Sequence, residues 1–507
     1  MCTNHIPAKI LLIYPPSKLQ IHQSFPLGLL NIARILEDAG HEVRVLDANA
    51  AKRKMNIPDI VQYAQHMKPD IIGISLLTSF IKSAYQLVAE LKKDGVKAKL
   101  LAGGPHATIV PEEPLAYGFD AAVNGEGEAT IIEAVQGLQG HLSKDQVKGW
   151  SYRNTEGKYI RTEPRPPIHN LDDLPLPARH KVNPEDYGKN NAHVLHTNIF
   201  SSRGCPARCA FCSGHMFGKK FRFRSAEGMI EEIIHIHKNY GTNHFHFVDD
   251  AMTVDKDRMK EFCQRLQEIR LPITWSMMTR IDLVNETLLR EAFQAGCTQV
   301  DYGVESGHPE TLKRIHKPHT VEMVRQVIPM TKAAGIKPYV FFILGFPWED
   351  VRALQNTYDL MIELSAYVDL FHPAVASILI PFPGTEIYEK YKDQYQFENW
   401  WLTEERNYGA PTYHKHAYFE SKCFYLGTAL DADFFHYSPQ IKEKIREIFQ
   451  FMYRHNLKRN GLLARIIRGT MFTCSRKLYT LSPILENIIF SPVQRMEYLT
   501  KKVQALI

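Results

Sequence analysis

Along the first 390 residues, short apolar runs alternate with segments whose apolar positions recur at helical spacing. Lys9–Tyr14, Glu42–Leu46, Ile71–Ser75, Lys99–Ala102 and Ala121–Val123 are each too short for a helix and predict buried strands. Leu27 to Gly40 carries apolar residues at helical spacing and ends in glycine, the usual stop signal. Strand followed by helix, repeated, predicts a parallel sheet that binds ligands at the C-terminal ends of its strands. The rhythm breaks in a proline-rich stretch between Pro164 and Pro184, with a hairpin expected around Thr155–Gly157. It resumes with strands expected at Val194–Phe200, His244–Val248, Ile273–Met277, Gln299–Gly303, Tyr339–Leu344 and Ala374–Ile380. Six parallel strands over some 200 residues suggest a partial (β/α)6 barrel with functional residues at one mouth.

The predicted organisation is an α/β chain in four parts. Residues 1–145 form a Rossmann-like, flavodoxin-like parallel-sheet domain, and 146–192 a connector. Residues 193–395 form the partial barrel, and 396–507 a mainly helical region. Hydrophobic residues make up 44% of the chain and charged residues 23%, which excludes wholesale disorder and collagen-like architecture. The net charge of +6 is concentrated in the tail. From Ile441 onward there are thirteen Lys and Arg against four Asp and Glu, so the preceding chain is slightly acidic. The start of the chain carries no secretory signal, and no run of 18 apolar residues occurs, so a cytoplasmic location is expected.

Of eight cysteines, three fall within eight residues: Cys205, Cys209 and Cys212, spaced C-x3-C-x2-C directly after a predicted strand. In a cytoplasmic chain such a cluster indicates metal binding or catalysis, not disulfides. Three thiolates can hold three corners of an iron–sulfur cube and leave the fourth iron open. The alternative is structural zinc with His215 as fourth ligand, but zinc motifs usually bring two separated Cys/His pairs, and no second pair is nearby.

With an aromatic residue before the last cysteine, these residues resemble the radical S-adenosylmethionine (SAM) enzymes. The resemblance implies a four-iron, four-sulfur cluster held by Cys205, Cys209 and Cys212, with SAM chelated to the open iron. Reduction would then generate a 5′-deoxyadenosyl radical. It places Phe211 against the adenine and polar strand ends around SAM: Asp249, Arg280 and Glu305. Here Phe247-Val-Asp-Asp250 stands where the family often has Gly-Gly-Glu, a departure from the family's pattern at Asp249.

The first domain lacks G-x-G-x-x-G, so a dinucleotide is not expected. Its glycine- and hydroxyl-bearing strand ends, with the Leu-Asp-Asp-Leu-Pro connector, resemble the cobalamin-binding domain that precedes the barrel in one large class of radical SAM enzymes. That resemblance places Ser75, Thr78, Gly103, Gly104, His106, Gly125 and Glu126 around cobalamin. The Asp-x-His-x-x-Gly string that supplies a cobalt-binding His elsewhere is absent, so His106 is expected to be a polar contact, not a cobalt ligand. An empty flavodoxin-like lid is the bland alternative.

The class implies methylation of an unactivated carbon on a small-molecule or lipid-like substrate. Flavodoxin or ferredoxin would donate electrons. The alternatives are ring formation or oxygen insertion, as in the anaerobic magnesium-protoporphyrin ester cyclase, and a non-catalytic cobalamin or redox sensor. The basic stretch Phe449–Phe472 suggests either a helix pair packed on the barrel or peripheral membrane contact. No nucleic-acid module accompanies the charge, so nucleic acid is not expected.

Overall fold

The structure, a computed structural model, describes residues 6–16, 25–50, 53–187, 198–214, 218, 220–372, 378–403 and 433–459. Five parallel strands open the first sheet: β1 (Lys9–Tyr14), β2 (Glu42–Asp47), β3 (Ile71–Ser75), β4 (Lys99–Gly103) and β5 (Ala121–Val123), in the order β2-β1-β3-β4-β5. They are apolar on both faces because helices cover both. From β1, Leu11 and Ile13 pack toward α2 (Ile57–Met67) and α3 (Ile81–Lys93). Ile10 and Leu12 pack on the opposite side, toward α1 (Leu27–Asp38) and α6 (Ile131–Gln139). The chain leaves β1 toward β2 on one side, and β3 lies on the other. That reversal leaves a crevice at the C-terminal ends of β1 and β3. Two short helices, α4 (Pro105–Ile109) and α5 (Glu113–Ala116), fill the crossover between β4 and β5.

The expected hairpin forms, but it is part of the first sheet. β6 (Trp150–Arg153) pairs antiparallel to β5, and β7 (Tyr159–Arg161) pairs antiparallel to β6. Asn154 fixes the turn by accepting from the backbone N–H groups of Glu156 and Lys158. The domain edge expected at residue 145 therefore falls inside a seven-stranded sheet. The aromatic Trp150, fully buried on α6, could not have been left in a solvated connector.

The second sheet has six parallel strands in the order β8-β11-β12-β13-β14-β15: β8 (Asn198–Ile199), β11 (His244–Phe247), β12 (Thr274–Thr279), β13 (Cys297–Glu305), β14 (Lys337–Phe342) and β15 (Leu370–Phe371). A separate ribbon, β9 (Ser202–Arg203) with β10 (Arg222–Phe223), brackets the cysteine loop. Outward residues such as Phe247, Trp275 and Tyr302 are buried under the flanking helices, including α7 (Ala226–Tyr240), α8 (Lys256–Ile269), α9 (Glu286–Gln294) and α11 (Val321–Ala333). Inward positions are more polar. Five of the described helices that flank this sheet start where a Ser, Thr, Asp or Asn side chain accepts from a first-turn N–H: Ser225, Asp255, Asn285, Thr320 and, ahead of α12 (Val351–Leu364), Asp350. α10 (Pro309–Arg314) completes the β13–β14 crossover. Among the described residues the sixth strand is Leu370–Phe371; of the expected Ala374–Ile380, 374–377 lie outside the described residues and Ile378 makes an isolated parallel bridge to Leu344, and 194–197 of the expected Val194–Phe200 lie outside them as well.

α13 (Glu386–Tyr391) follows the barrel, and α14 (Pro439–Arg459) closes it. Ile445, Ile448, Phe449 and Met452 of α14 are buried. Asn456 accepts from Phe371 N at 3.1 Å and donates to Phe371 O at 2.7 Å, so a side chain covers the free backbone edge of β15. This part of the basic stretch is packed helix. Beyond Arg459, including Arg465 and Arg468, it lies outside the described residues. Among those described, no helix is long and apolar enough to cross a membrane.

Candidate functional site

The C-terminal edges of the two sheets face one another across a cavity of about 470 Å³. Ser75, Gly103, Gly104 and Gly125 line it from the first sheet, and Phe200, Val248 and Asp250 from the second. Gly104 has φ +94°, and a Cβ there would stand 3.0 Å from Leu76 O, so the turn requires glycine. Gly125 has φ +89°, and a Cβ there would meet nothing within 4 Å, so its missing side chain leaves open space.

Three residues expected around the cobalamin site do other work. His106, in α4, is fully buried. Its Nδ1 lies 3.0 Å from Thr78 Oγ1 and its Nε2 2.8 Å from Glu113 Oε1, so both ring nitrogens are engaged and Thr78 is turned away with it. Glu113 also accepts from Tyr85 OH at 2.7 Å and from Trp401 Nε1 at 2.8 Å. Burial opposes its charge, but these donors hold its carboxyl below the usual range. The set ties the first domain to the segment after the barrel. Glu126 borders the cavity, yet its carboxylate accepts from Arg222 at 2.6 and 3.1 Å and from Ile168 N at 2.8 Å. Burial would raise its carboxyl, but Arg222, Ile168 N–H and Arg203 outweigh that and hold it low. Glu128 pairs with Arg203, two residues before Cys205, at 2.5 Å. These buried pairs join the first sheet to the cysteine loop. Their sequence trace is the alternation Gly125-Glu-Gly-Glu128, legible only once Arg203 and Arg222 are seen opposite.

At the second edge, Cys205, Cys209 and Cys212 lie around one loop. Burial raises the Cys209 thiol, and raises Cys212 to about 11 against the N–H of Gly214, which lies 3.2 Å from Sγ. Arg280 is held by Asp282 in a two-point ion pair at 3.0 and 2.5 Å and places Nη1 3.7 Å from Cys205 Sγ. Glu305, in left-handed backbone at φ +69°, pairs with the buried Lys317 at 2.9 Å. The Lys317 ammonium sits 5.8 Å from the Phe211 ring. Burial works against its charge, but Glu305 and Cys209 overcome it and raise its pKa.

Asp249 and Asp250 divide differently from expectation. Asp249 is buried away from the cavity and accepts from Ser201 N at 2.8 Å, Ser201 Oγ at 2.6 Å and Ser202 N at 2.5 Å. Arg258 donates to the same Ser201. Asp249 therefore pins the strand that leads into the cysteine loop. Asp250 is the acid that faces the cavity, close to Gly214 beside the thiols. Burial, with the neighbouring Asp249, pushes its carboxyl up to about 6. The alternation of a strand end assigns opposite faces to adjacent residues, so one residue of register decides which acid meets a ligand. Reasoning from sequence also missed Glu349. It is buried, and it accepts from Gly345 N at 2.9 Å and Phe346 N at 3.1 Å, fixing the loop after β14; the signal was Gly345-Phe-Pro-Trp-Glu349.

Among the described residues, no three Cys, His, Asp or Glu side chains converge on a single-ion site. Thiolates sharing one zinc stand about 3.8 Å apart, given zinc–sulfur bonds near 2.3 Å. In a cluster each thiolate takes its own iron, and the spacing is wider. Three thiols on one loop, with Arg280 and Lys317 beside it, fit a cluster. The glycine-lined cavity fits a broad ligand approaching backbone. His215 lies outside the described residues.

Residues 22–135 match the B12 binding domain family, and residues 199–361 match the Radical SAM superfamily. An uncharacterised methyltransferase of Pyrococcus horikoshii is 32% identical over 75% of this chain and 82% of its own length. The chain belongs to the cobalamin-binding radical SAM family. The family's cofactors are a four-iron, four-sulfur cluster, SAM and cobalamin, and this chain is an enzyme of that family. The cytidylyl-2-hydroxyethylphosphonate methyltransferase of Streptomyces wedmorensis is 29% identical over 69% of this chain and 76% of its own. Among solved structures, the cobalamin-dependent SAM radical enzyme OxsB with aqua-cobalamin bound has the same fold. Its TM-score is 0.64 at 17% identity, over 94% of this chain and 75% of that one.

Proposed function

We propose that this enzyme methylates an unactivated carbon of a small molecule held between the two sheet edges. The observation that carries the reading is the shared cavity: the glycine-rich edge expected to carry cobalamin opens onto the edge that carries the thiols and Asp250. When bound, the reduced cluster supplies the electron that cleaves SAM, and cobalamin supplies the methyl group. The chain's own residues would do the rest. Cys205, Cys209 and Cys212 hold the cluster. Asp250, with its carboxyl near neutrality, accepts the amino group of SAM in the role first given to Asp249. Arg280 and the Lys317–Glu305 pair set the charge beside the thiols, and Phe211 borders the same ground. Ser75, Gly103, Gly104 and Gly125 receive cobalamin, with Glu126 bracing the loop through Arg222. Holding two reactive cofactors around one substrate converts a many-body encounter into a local one.

The test is anaerobic turnover with methyl-labelled SAM, a flavodoxin or ferredoxin reductant and candidate substrates. The reading expects 5′-deoxyadenosine together with label on a substrate carbon. 5′-Deoxyadenosine with an unlabelled, cyclised or oxygenated product would replace methylation by the cyclase-type reaction. No SAM cleavage by reduced, cluster-loaded protein would reduce the chain to a binding protein.

A further inference from the structure

Below the strand ends that carry Asp250, Arg280 and Glu305, the inward face of the barrel holds a second polar layer that the proposed chemistry leaves unused. Strand register sets His246 opposite Ser276, and Asp301 opposite Tyr339. His246 Nδ1 and Ser276 Oγ are 2.7 Å apart. Gln299 Nε2 donates to Asp301 Oδ1 at 2.7 Å, and His372 Nε2 lies 3.9 Å from Asp301 Oδ2, beyond hydrogen-bond reach. Phe341 stacks on His372 with centroids 3.9 Å apart, and Tyr339 meets the same ring edge-on at 5.7 Å. His246, Tyr339, Phe341 and His372 are half-buried although they point inward, whereas Phe247, Val340 and Phe342 on the outward face are covered. These inward side chains therefore keep solvent-accessible surface on the inner face of the barrel.

A carboxylate taken out of water needs a counter-charge or several donors. Asp301 is 5% exposed with one donor, and among the described residues it forms no ion pair with lysine or arginine. Burial raises its carboxyl to about 7 and lowers both His246 and His372 to about 4, so at neutral pH the imidazoles bring no positive charge. An anion would meet no positive charge from these imidazoles and would face the Asp301 carboxyl. A cation would favour the ionised form of Asp301 and lie against a stacked aromatic wall, where exclusion of water strengthens cation–π attraction.

We propose that this layer is the substrate-recognition floor of the barrel and that Asp301, beside the Phe341–His372 stack, receives a protonated amine of the substrate. The inference rests on the reading of the barrel mouth as the site of SAM cleavage. It assigns the substrate class as a small molecule with a cationic nitrogen, held so that the reacting carbon points up toward Asp250.

The experiment uses the cluster- and cobalamin-loaded protein with SAM present and titrates three probes by calorimetry: benzylamine, benzyl alcohol and benzoate. Benzylamine should bind at least ten-fold tighter than benzyl alcohol, and benzoate should not bind. Asp301→Asn should weaken benzylamine at least ten-fold while leaving SAM affinity and the cluster spectrum unchanged, and His372→Gln should give a smaller loss. Equal binding of the three probes overturns the proposal, and so does unchanged benzylamine affinity in an Asp301→Asn protein with a native cluster spectrum. If Asp301→Asn does not keep its cluster, His372→Gln decides by the same criterion, with unchanged affinity counting against the proposal. No turnover is needed, so failure here with SAM cleavage intact removes the amine site alone. Absence of SAM cleavage removes the reading beneath it.

Discussion

The first sheet meets the cavity with Gly103, Gly104, Gly125 and Gly127, whereas the second meets it with Asp250 and, alongside, Arg280, Glu305 and three thiols. On the first side room is made by omitting side chains, and the acids that are present, Glu126 and Glu128, are spent on arginines of the other domain. On the second side charges are held partly out of water and face groups that a small, charged molecule can supply. A broad ligand that must approach backbone calls for the first solution. A reaction that moves an electron and breaks a bond at a fixed point calls for the second.

The largest expected effect lies on the charged edge. Cys205→Ala, Cys209→Ala or Cys212→Ala should each abolish SAM cleavage, measured as 5′-deoxyadenosine, because each removes one of three protein ligands. Cys263→Ala and Cys297→Ala, buried in the core away from the cavity, should keep it and lose only stability. Iron and sulfide near four each per wild-type chain should accompany the result; stoichiometric zinc without iron would overturn it.

The two neighbouring acids sharpen the contrast. Asp249→Asn should cost about 3 kcal/mol, seen as a lowered melting temperature and a labile cluster, since it removes the charge that offsets buried Arg258 and replaces the Oδ2 acceptor of Ser201 Oγ with a donor, while Oδ1 still serves Ser201 N and Ser202 N. Asp250→Asn should leave the melting temperature nearly unchanged and weaken SAM binding at least ten-fold. The opposite pattern would return the SAM contact to Asp249.

On the glycine edge, Gly104→Val should lose cobalamin while keeping the cluster absorption, because its Cβ would strike Leu76 backbone in a turn already at positive φ. Gly125→Ala meets only the backbone strain, about 1–2 kcal/mol, and should weaken cobalamin modestly. Equal effects from both would mean that strain, not the close approach, controls this edge. His106→Ala should lower the melting temperature and leave the cobalt spectrum unchanged, since both nitrogens serve Thr78 and Glu113.

The smallest effect concerns the junction between the edges. Glu126 is held below its usual value of 4.5, so its contribution is present above that pH and is lost as pH falls through the lower, folded value. Thermal stability should fall below about pH 4.5 more steeply in the wild type than in Glu126→Gln, which has no carboxylate to protonate.

The sequence by itself determined what local pattern can carry. The spacing of Cys205, Cys209 and Cys212 is covalent, and three thiols that close in the chain must share one loop. The strand–helix alternation followed from periodicity, and Gly104 and Gly125 stood out as glycines at predicted strand ends that resemble a cobalamin-binding domain. Only the tertiary structure decided which way neighbouring groups face and what lies opposite them. Glu126 reads as a ligand until Arg222, 96 residues away, is seen to occupy it. His106 reads as a polar contact of cobalamin until Glu113 and Trp401 enclose it. Asp249 and Asp250 are one residue apart and point to opposite sides of one strand end. The Asp301–His372 layer draws on strands 71 residues apart in the chain and has no motif at all. Pairings of this kind depend on long-range register and burial, which set the cost of each charge and leave no trace in local spacing.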